Sequence, residues 1–177
     1  MNDSRSMTGR KEVDDSNIRI DLAVTSSLLN DTIHGRRQFE LIHCKSLENV
    51  ELFVRCRNEY PGERKLMLTP HTSTEYIERA SSLYLTTDLR GGVAVIGGEL
   101  ASLFSYPGAR YGNMLVEAAK LLGARHLSCF DCGGMLPQYY GRHGFKEVAR
   151  FKWDPQYAPA RWNYDLFGTP DVVEMSL

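Results

Sequence analysis

No apolar run in this sequence approaches the ~20 residues needed to cross a bilayer. Its opening stretch, MNDSRSMTGRKEVDDS, is polar and charged where a secretory signal needs an apolar segment. The expectation is a cytoplasmic protein that does not engage a membrane. An excess of either charge is missing as well. Lys and Arg number 21 against 22 Asp and Glu, a formal net charge of −1, so no global positive field attracts nucleic acid or anionic lipid, and a nucleic-acid partner is not expected. Cysteine is sparse, at Cys44, Cys56, Cys129 and Cys132, and in an intracellular chain an even count does not imply disulfides. Cys129-Phe130-Asp131-Cys132 has C-x-x-C spacing, yet no second C-x-x-C or H-x-x-x-H completes a tetrahedral metal site. Its setting in a short apolar run suits small buried hydrophobes, and no metal is expected.

What is present is the composition of an ordinary globular protein, 42% hydrophobic and 24% charged over 177 residues, enough for one domain with a substantial core. Residues 1–16 lack apolar periodicity and read as a disordered arm, leaving 17–177 as the domain. Asn17 to Val24 alternates apolar and polar residues like a half-buried strand. From Ser26 to Phe53 the spacing of Leu28, Leu29, Ile33, Phe39, Leu41, Ile42 and Val50 suggests one or two amphipathic helices, interrupted by Gly35. Pro61-Gly62 marks a turn. Thr72 and Glu75 have the spacing of a capping box opening a helix to about Ser81, with Tyr76, Ile77 and Ala80 as its apolar face.

From Leu83 the period becomes that of strands. LYLTT, a turn at Asp88 to Gly92, VAVIGG and ELASLFS form an antiparallel meander to Ser105. Gly112 to Leu122 is a helix with Met114, Leu115, Ala118 and Leu122 on one face, stopped by Gly123. HLSCF, a Gly133-Gly134 break, the short helix LPQYYGRH, the strand FKEVARFKW and a terminal strand DVVEM follow. This order predicts an α/β (α+β) domain with a mixed, mostly antiparallel twisted sheet flanked by helices.

Three segments narrow the fold. LPQYYGRHGF at Leu136 to Phe145 resembles the acetyltransferase signature in which an aromatic and a Tyr, two small or polar residues, any residue and Gly-Phe end one helix and begin the next strand. DVVEMSL at Asp171 to Leu177 resembles the closing strand of the same family, and LLGARHLSCFD resembles its third helix and fifth strand. In that order and spacing they make the chain from about Gly91 to Leu177 similar to the acyl-CoA-binding half of an N-acetyltransferase of the GNAT superfamily. Leu136, Tyr140, His143-Gly144-Phe145, Ala158-Pro159, Trp162 and Pro170-Asp171 also resemble acetyltransferase-like proteins of phages and prophages.

The resemblance implies acetyl-CoA as acyl donor and an amine on a small molecule or protein as acceptor, and it leaves room for a homodimer. It lays the pantetheine arm along Leu103, Phe104 and Ser105 and the diphosphate near Arg110, Tyr111, Gly112 and Asn113, at a helix start whose unpaired N–H groups and dipole favour an anion. The donor loop departs from the family pattern, since Pro107 and Arg110 stand at its first two marker positions and only Gly112 survives. Arg110 would then grip a phosphate by its charged fork. The family's general acid falls on Tyr140, with Tyr139 beside it, and a base on Glu99, with His143 and Asp131 as alternatives. His143, at a turn before Gly144, reads as solvent-facing. The loop from Trp153 to Phe167 is either an aromatic wall around the acceptor or a cap over the core. A GNAT-fold binding module without activity and an atypical base-modifying enzyme remain as rival readings.

Overall fold

A computed structural model of the chain describes residues 40–177 in full, together with the backbone of Asn17–Leu22 and of 37–39. The expected N-terminal arm and the apolar positions Leu28, Leu29 and Ile33 lie outside the described residues. Eight strands form one sheet in the order β1-β2-β3-β4-β5-β6-β8-β7. They are β1 (Asn17–Leu22), β2 (Arg37–His43), β3 (Ser82–Thr86), β4 (Gly91–Ile96), β5 (Glu99–Ser105), β6 (His126–Phe130), β7 (Lys146–Phe151) and β8 (Val172–Ser176). Every neighbouring pair is antiparallel except β5 and β6. The meander and the mostly antiparallel sheet match the expectation. One segment does not: Phe39, Leu41 and Ile42 lie on β2 between β1 and β3 rather than on a helix. Arg-Gln-Phe-Glu-Leu-Ile-His also alternates, and ladder bonds on both sides decide between the two periods.

Helices cover both faces. Val50, Phe53 and Cys56 of α1 (Leu47–Asn58) and Tyr76 of α2 (Ser73–Glu78) pack with Leu83, Leu85, Ala94, Ile96 and Phe104 on one side. On the other, α3 (Gly112–Leu121) buries Leu115, Val116, Ala118 and Ala119 against Val93, Val95 and Leu100, and α4 (Met135–Gly141) packs Leu136, Tyr139 and Tyr140 beside them. The capping box at Thr72 and Glu75 is formed. In so short a helix Tyr76 alone is buried, and Ile77, expected inside, is 50% exposed. The turn before β4 ends at Arg90, so Gly91 and Gly92 belong to the strand. A Cβ at Gly92 would lie 2.6 Å from the Phe104 ring. A short helix, α5 (Tyr164–Phe167), precedes β8.

Two polar contacts fix the elements around the sheet's centre. Arg57, 4% exposed, donates from Nη1 to the Thr69 carbonyl (3.2 Å) and the Tyr76 hydroxyl (3.1 Å), and from Nε and Nη2 to Asn58 Oδ1. It thereby ties α1, the α1–α2 connection and α2 together using neutral acceptors. His143 is buried at 4% exposure, against the expectation of a solvent-facing turn residue. Its Nδ1 lies 2.8 Å from Glu117 Oε1 and its Nε2 3.1 Å from Asn113 Oδ1, while Lys120 Nζ donates to the His143 carbonyl. The end of α4 is thus clamped to the first two turns of α3.

Burial works against the charged form of Glu117, but hydrogen bonds from His143 and Lys120 outweigh it and hold the carboxyl below its usual pKa. A lowered folded-state pKa gives stability that is complete above the ordinary glutamate value and lost as pH falls through the folded one. Glu117→Gln should therefore lower the melting temperature at pH 7 by several degrees, corresponding to about 1–3 kcal/mol. The gap to wild type should narrow below about pH 4, where both lack the charge; calorimetry across pH 3–7 measures it.

Candidate active site

The sheet's one parallel contact creates the site. β5 and β6 are paired only at Glu99 and His126. Beyond that point they splay, and a cavity of 380 Å³ opens between Leu100–Ser105 on one side and Ser128 and Cys129 on the other, walled by Tyr139 and Tyr140 of α4 and by Leu68 and Thr69. The β4–β5 register steps from Val95↔Leu100 to Ala94↔Ser102, so Ala101 is the extra residue of a β-bulge. Bulges re-aim side chains and interrupt a ladder. This one lets Leu100 and Leu103 both face α3 while Ala101 and Phe104 face α1 and α2.

At one end of the cavity stands the start of α3. The first N–H groups of a helix have no partner within it. The Tyr111 amide donates to Ser105 Oγ (3.0 Å), while those of Gly112, Asn113 and Met114 find no acceptor among the described residues. Gly112 borders the cavity, and a Cβ there would lie 2.7 Å from the Tyr139 hydroxyl. That hydroxyl is buried without a hydrogen bond, an omission costing about 1–3 kcal/mol. Burial above all pushes the Tyr139 phenol up to about 12. Arg142 also borders the cavity, with its guanidinium over the Tyr139 ring at 5.8 Å. The open Gly112 amide and the Arg142 guanidinium thus border one cavity.

The expected site residues divide. Leu103, Phe104, Ser105, Gly112 and Tyr140 are on the cavity wall; Arg110, Tyr111, Asn113 and Glu99 are not. The Tyr111 hydroxyl donates to Asp88 Oδ2 (2.7 Å) and Arg90 Nη2 to the Pro107 carbonyl (2.7 Å), so the β5–α3 loop is drawn back onto the β3–β4 turn. Asn113 is engaged by His143. Glu99 stands at the closed end of the splay, one residue before the wall begins. Burial first, then the neighbouring Tyr139 and Cys129, raises the Tyr140 phenol well above its ordinary value. Its ring meets those of Tyr139 and Phe145 edge-on. Asp131 is committed to Arg150 and to the Gly134 amide. Cys129, 8% exposed, is pushed up to about 12, chiefly by burial, and among the described residues no cluster suits a metal ion.

Sequence reasoning missed the polar residues Tyr60, Arg64, Thr69, Ser102, Ser128 and Arg142 on the wall. For Ser102 a signal existed, since the adjacent apolar pair Leu103-Phe104 breaks strict alternation and announces the bulge. A second cavity of 520 Å³ adjoins the first, sharing Tyr60, Arg64, Met67 and Met135 and extending to Pro107, Leu166 and Phe167. Of the rings of the aromatic loop only Phe167 reaches it. Trp153, Trp162 and Phe130 stack on one another 4.9–6.0 Å apart, with Trp162 Nε1 donating to the Gly168 carbonyl, as a cap over the end of β6.

No protein-family model matches the sequence, and no curated protein matches it either. Solved structures do. A probable acetyltransferase of the GNAT family from Chromobacterium violaceum is 14% identical, with 78% of this chain and 86% of that chain covered at a TM-score of 0.50. A GNAT family acetyltransferase from Elizabethkingia anophelis with acetyl-CoA bound is also 14% identical, with 67% of this chain and 92% of that chain covered and a TM-score of 0.50. At such identity the likeness is one of architecture: the splayed parallel pair in a mostly antiparallel sheet, with helices on both faces, is the GNAT fold.

Proposed function

We infer that the chain is an acyltransferase that moves an acyl group, most simply acetyl from acetyl-CoA, to an amine on a small molecule or protein. The observation that carries this reading is the cavity between β5 and β6, with the open amides of α3 at its end. Past Glu99 the β6-facing edge of β5 has no strand partner, so a pantetheine arm can pair with the backbone at Leu103 to Ser105 as an added strand would. A diphosphate fits the amides of Gly112 to Met114, the Tyr139 hydroxyl and the Arg142 guanidinium. Arg142 takes the place assigned to Arg110 from sequence.

The amine nitrogen bonds to the thioester carbonyl carbon, the carbon–sulfur bond breaks, and Tyr140 gives its proton to the departing sulfur. Burial keeps the phenol protonated at neutral pH, so the proton is there to give. Glu99 would act on the amine only through water. A second reading, a binding module that kept the scaffold, draws support from the Tyr111 amide being taken by Ser105. The phage-like flavour of Leu136, Tyr140, His143-Gly144-Phe145, Trp162 and Pro170-Asp171 adds the reading of an atypical member.

Ligand binding to the native state at a hundredfold excess over Kd stabilises it by about 2.7 kcal/mol, a rise of roughly 5–10 °C in a domain this size. Acetyl-CoA should produce that shift, and Gly112→Ala should abolish most of it, because the methyl group meets the Tyr139 hydroxyl. An unchanged melting point at millimolar acetyl-CoA would remove CoA-dependent transfer from consideration. Tyr140→Phe should slow CoA release from acetyl-CoA in the presence of amines by about 10²-fold while leaving CoA affinity unaltered, since only a proton transfer in the transition state is lost. Equal losses in both would assign Tyr140 to binding.

A further inference from the structure

We propose that the acceptor is an α-amino acid with a large apolar side chain, and that Arg64 selects it by holding its carboxylate where the two cavities meet. The inference rests on the acyl-transfer reading above and names the substrate class of that same site. With the donor's arm along β5, the acceptor reaches the acyl carbon from the second cavity, across Tyr60, Arg64, Met67 and Met135. That cavity, at 520 Å³, has the size of a small-molecule site. Of the cations on the two walls Arg64 alone borders both. Arg57, Arg90, Arg125 and Arg150 are each engaged by carbonyls or carboxylates, and Arg142 lies over the Tyr139 ring. Arg64 and Glu63 beside it enter no ion pair and no side-chain hydrogen bond among the described residues. Their charges are open to a ligand, and together they match a zwitterion.

The backbone under Arg64 is well held. It lies on a 3-10 turn, Glu63–Met67, entered through Gly62 at φ 80°, and Arg57 ties the same connection down at the Thr69 carbonyl. A guanidinium grips a carboxylate by two parallel hydrogen bonds. The α-nitrogen of an amino acid is two bonds from its carboxylate carbon, so a carboxylate seated on Arg64 brings that nitrogen to the mouth of the first cavity. The side chain is left to the second. Met135 and Leu166, 38% and 59% exposed, border that cavity with Phe167, and an apolar side chain laid there takes their surface out of water. Glu63, on the same wall, draws the ammonium inward and repels an acidic side chain. The α-nitrogen bonds to the acyl carbon, the carbon–sulfur bond breaks, and the sulfur leaves with that pair and takes the Tyr140 proton. Of the two protons the ammonium gives up, one passes to water and one restores the phenol, which leaves an N-acyl amino acid and CoA.

CoA release from acetyl-CoA, measured with L-phenylalanine, L-phenylalaninamide and L-glutamate as acceptors, tests the assignment, because the amide keeps the amine and the ring and lacks only the carboxylate. Wild type should favour phenylalanine over its amide by about 10-fold in kcat/KM, the low end for a charged hydrogen bond because Arg64 is exposed. Glutamate should be the poorer of the two amino acids. Arg64→Gln should raise the KM for phenylalanine by about 10-fold, while its kcat, the phenylalaninamide reaction and the calorimetric affinity for CoA stay within about twofold. Arg64→Lys, which keeps the charge without the fork, should recover part of the loss. Equal use of phenylalanine and its amide by wild type, or an equal loss of both in Arg64→Gln, would overturn the proposal. So would weakened CoA binding in Arg64→Gln, which would give the arginine to the donor. A wild type that binds acetyl-CoA but transfers nothing to phenylalanine would sink the amino-acid assignment and leave the donor site standing. Neither a melting shift with acetyl-CoA nor CoA release with any of these amines would show that the acyl-transfer reading itself has failed, and this inference would fall with it.

Discussion

Everything that makes this sheet usable depends on a hydrogen-bond ladder that stops after one pair. β5 and β6 are parallel neighbours, and a parallel pair could continue along both strands. Here it holds at Glu99 and His126 and no further. The unpaired length leaves β5 with one edge in the β4 ladder and the other facing open space. A row of exposed backbone donors and acceptors is a liability on a sheet's outer edge, but inside a walled cleft it becomes a template for an extended ligand. The bulge at Ala101 belongs to the same device. It shifts the alternation of β5 by one residue, so that Leu100 and Leu103 seal the face toward α3 while Ser102 comes to the side of Tyr76.

A gap of this kind stays open only if its rims are fixed independently of each other, and two clamps do so without a strand between them. Arg57 holds the α1–α2 connection through Thr69, Tyr76 and Asn58. His143 and Glu117 hold α4 to α3. Both clamps bury a group that is costly to bury, and both offset the cost with several hydrogen bonds to it. The loop between β5 and α3 is fixed a third way, by Tyr111 on Asp88 and Arg90 on Pro107. That tie draws the loop off the cavity, which is why Gly112 reaches the wall while Arg110 and Tyr111 do not.

Local chemistry was legible in the sequence, and spatial partnership was not. The capping box of Thr72 and Glu75, the alternation of the meander and the helix beginning at Gly112 all rest on interactions between residues a few positions apart, and all are present. The segment around Phe39 and Leu41 satisfied two periods, and strands distant in sequence decided between them. His143 looked like a turn residue because its partners, Glu117 and Asn113, stand 26 and 30 positions away. Tyr140, Gly112 and Leu103 to Ser105 were reached from sequence because they belong to a contiguous signature or strand. Arg142 and Thr69 were missed because nothing in their neighbourhoods marks them as wall residues.

The composition of the cavity constrains its chemistry further. Its walls carry hydroxyls, a thiol and the cations Arg64 and Arg142, but no carboxylate and no imidazole. Burial raises Tyr139, Tyr140 and Cys129 alike, so at neutral pH these groups keep their protons and can give them but not take them. Such a space can give protons to a bound group and offers it two cations. It cannot deprotonate an ammonium. Two carboxylates stand just outside it, Glu63 on the adjoining cavity and Glu99 at the closed end of the splay. A base for a bound ligand has to come from outside these walls, by way of the side that opens through Tyr60, Arg64, Met67 and Met135 into the second cavity. The fold thus keeps the raised phenols of α4 on the cavity wall and the carboxylates of Glu63 and Glu99 off it.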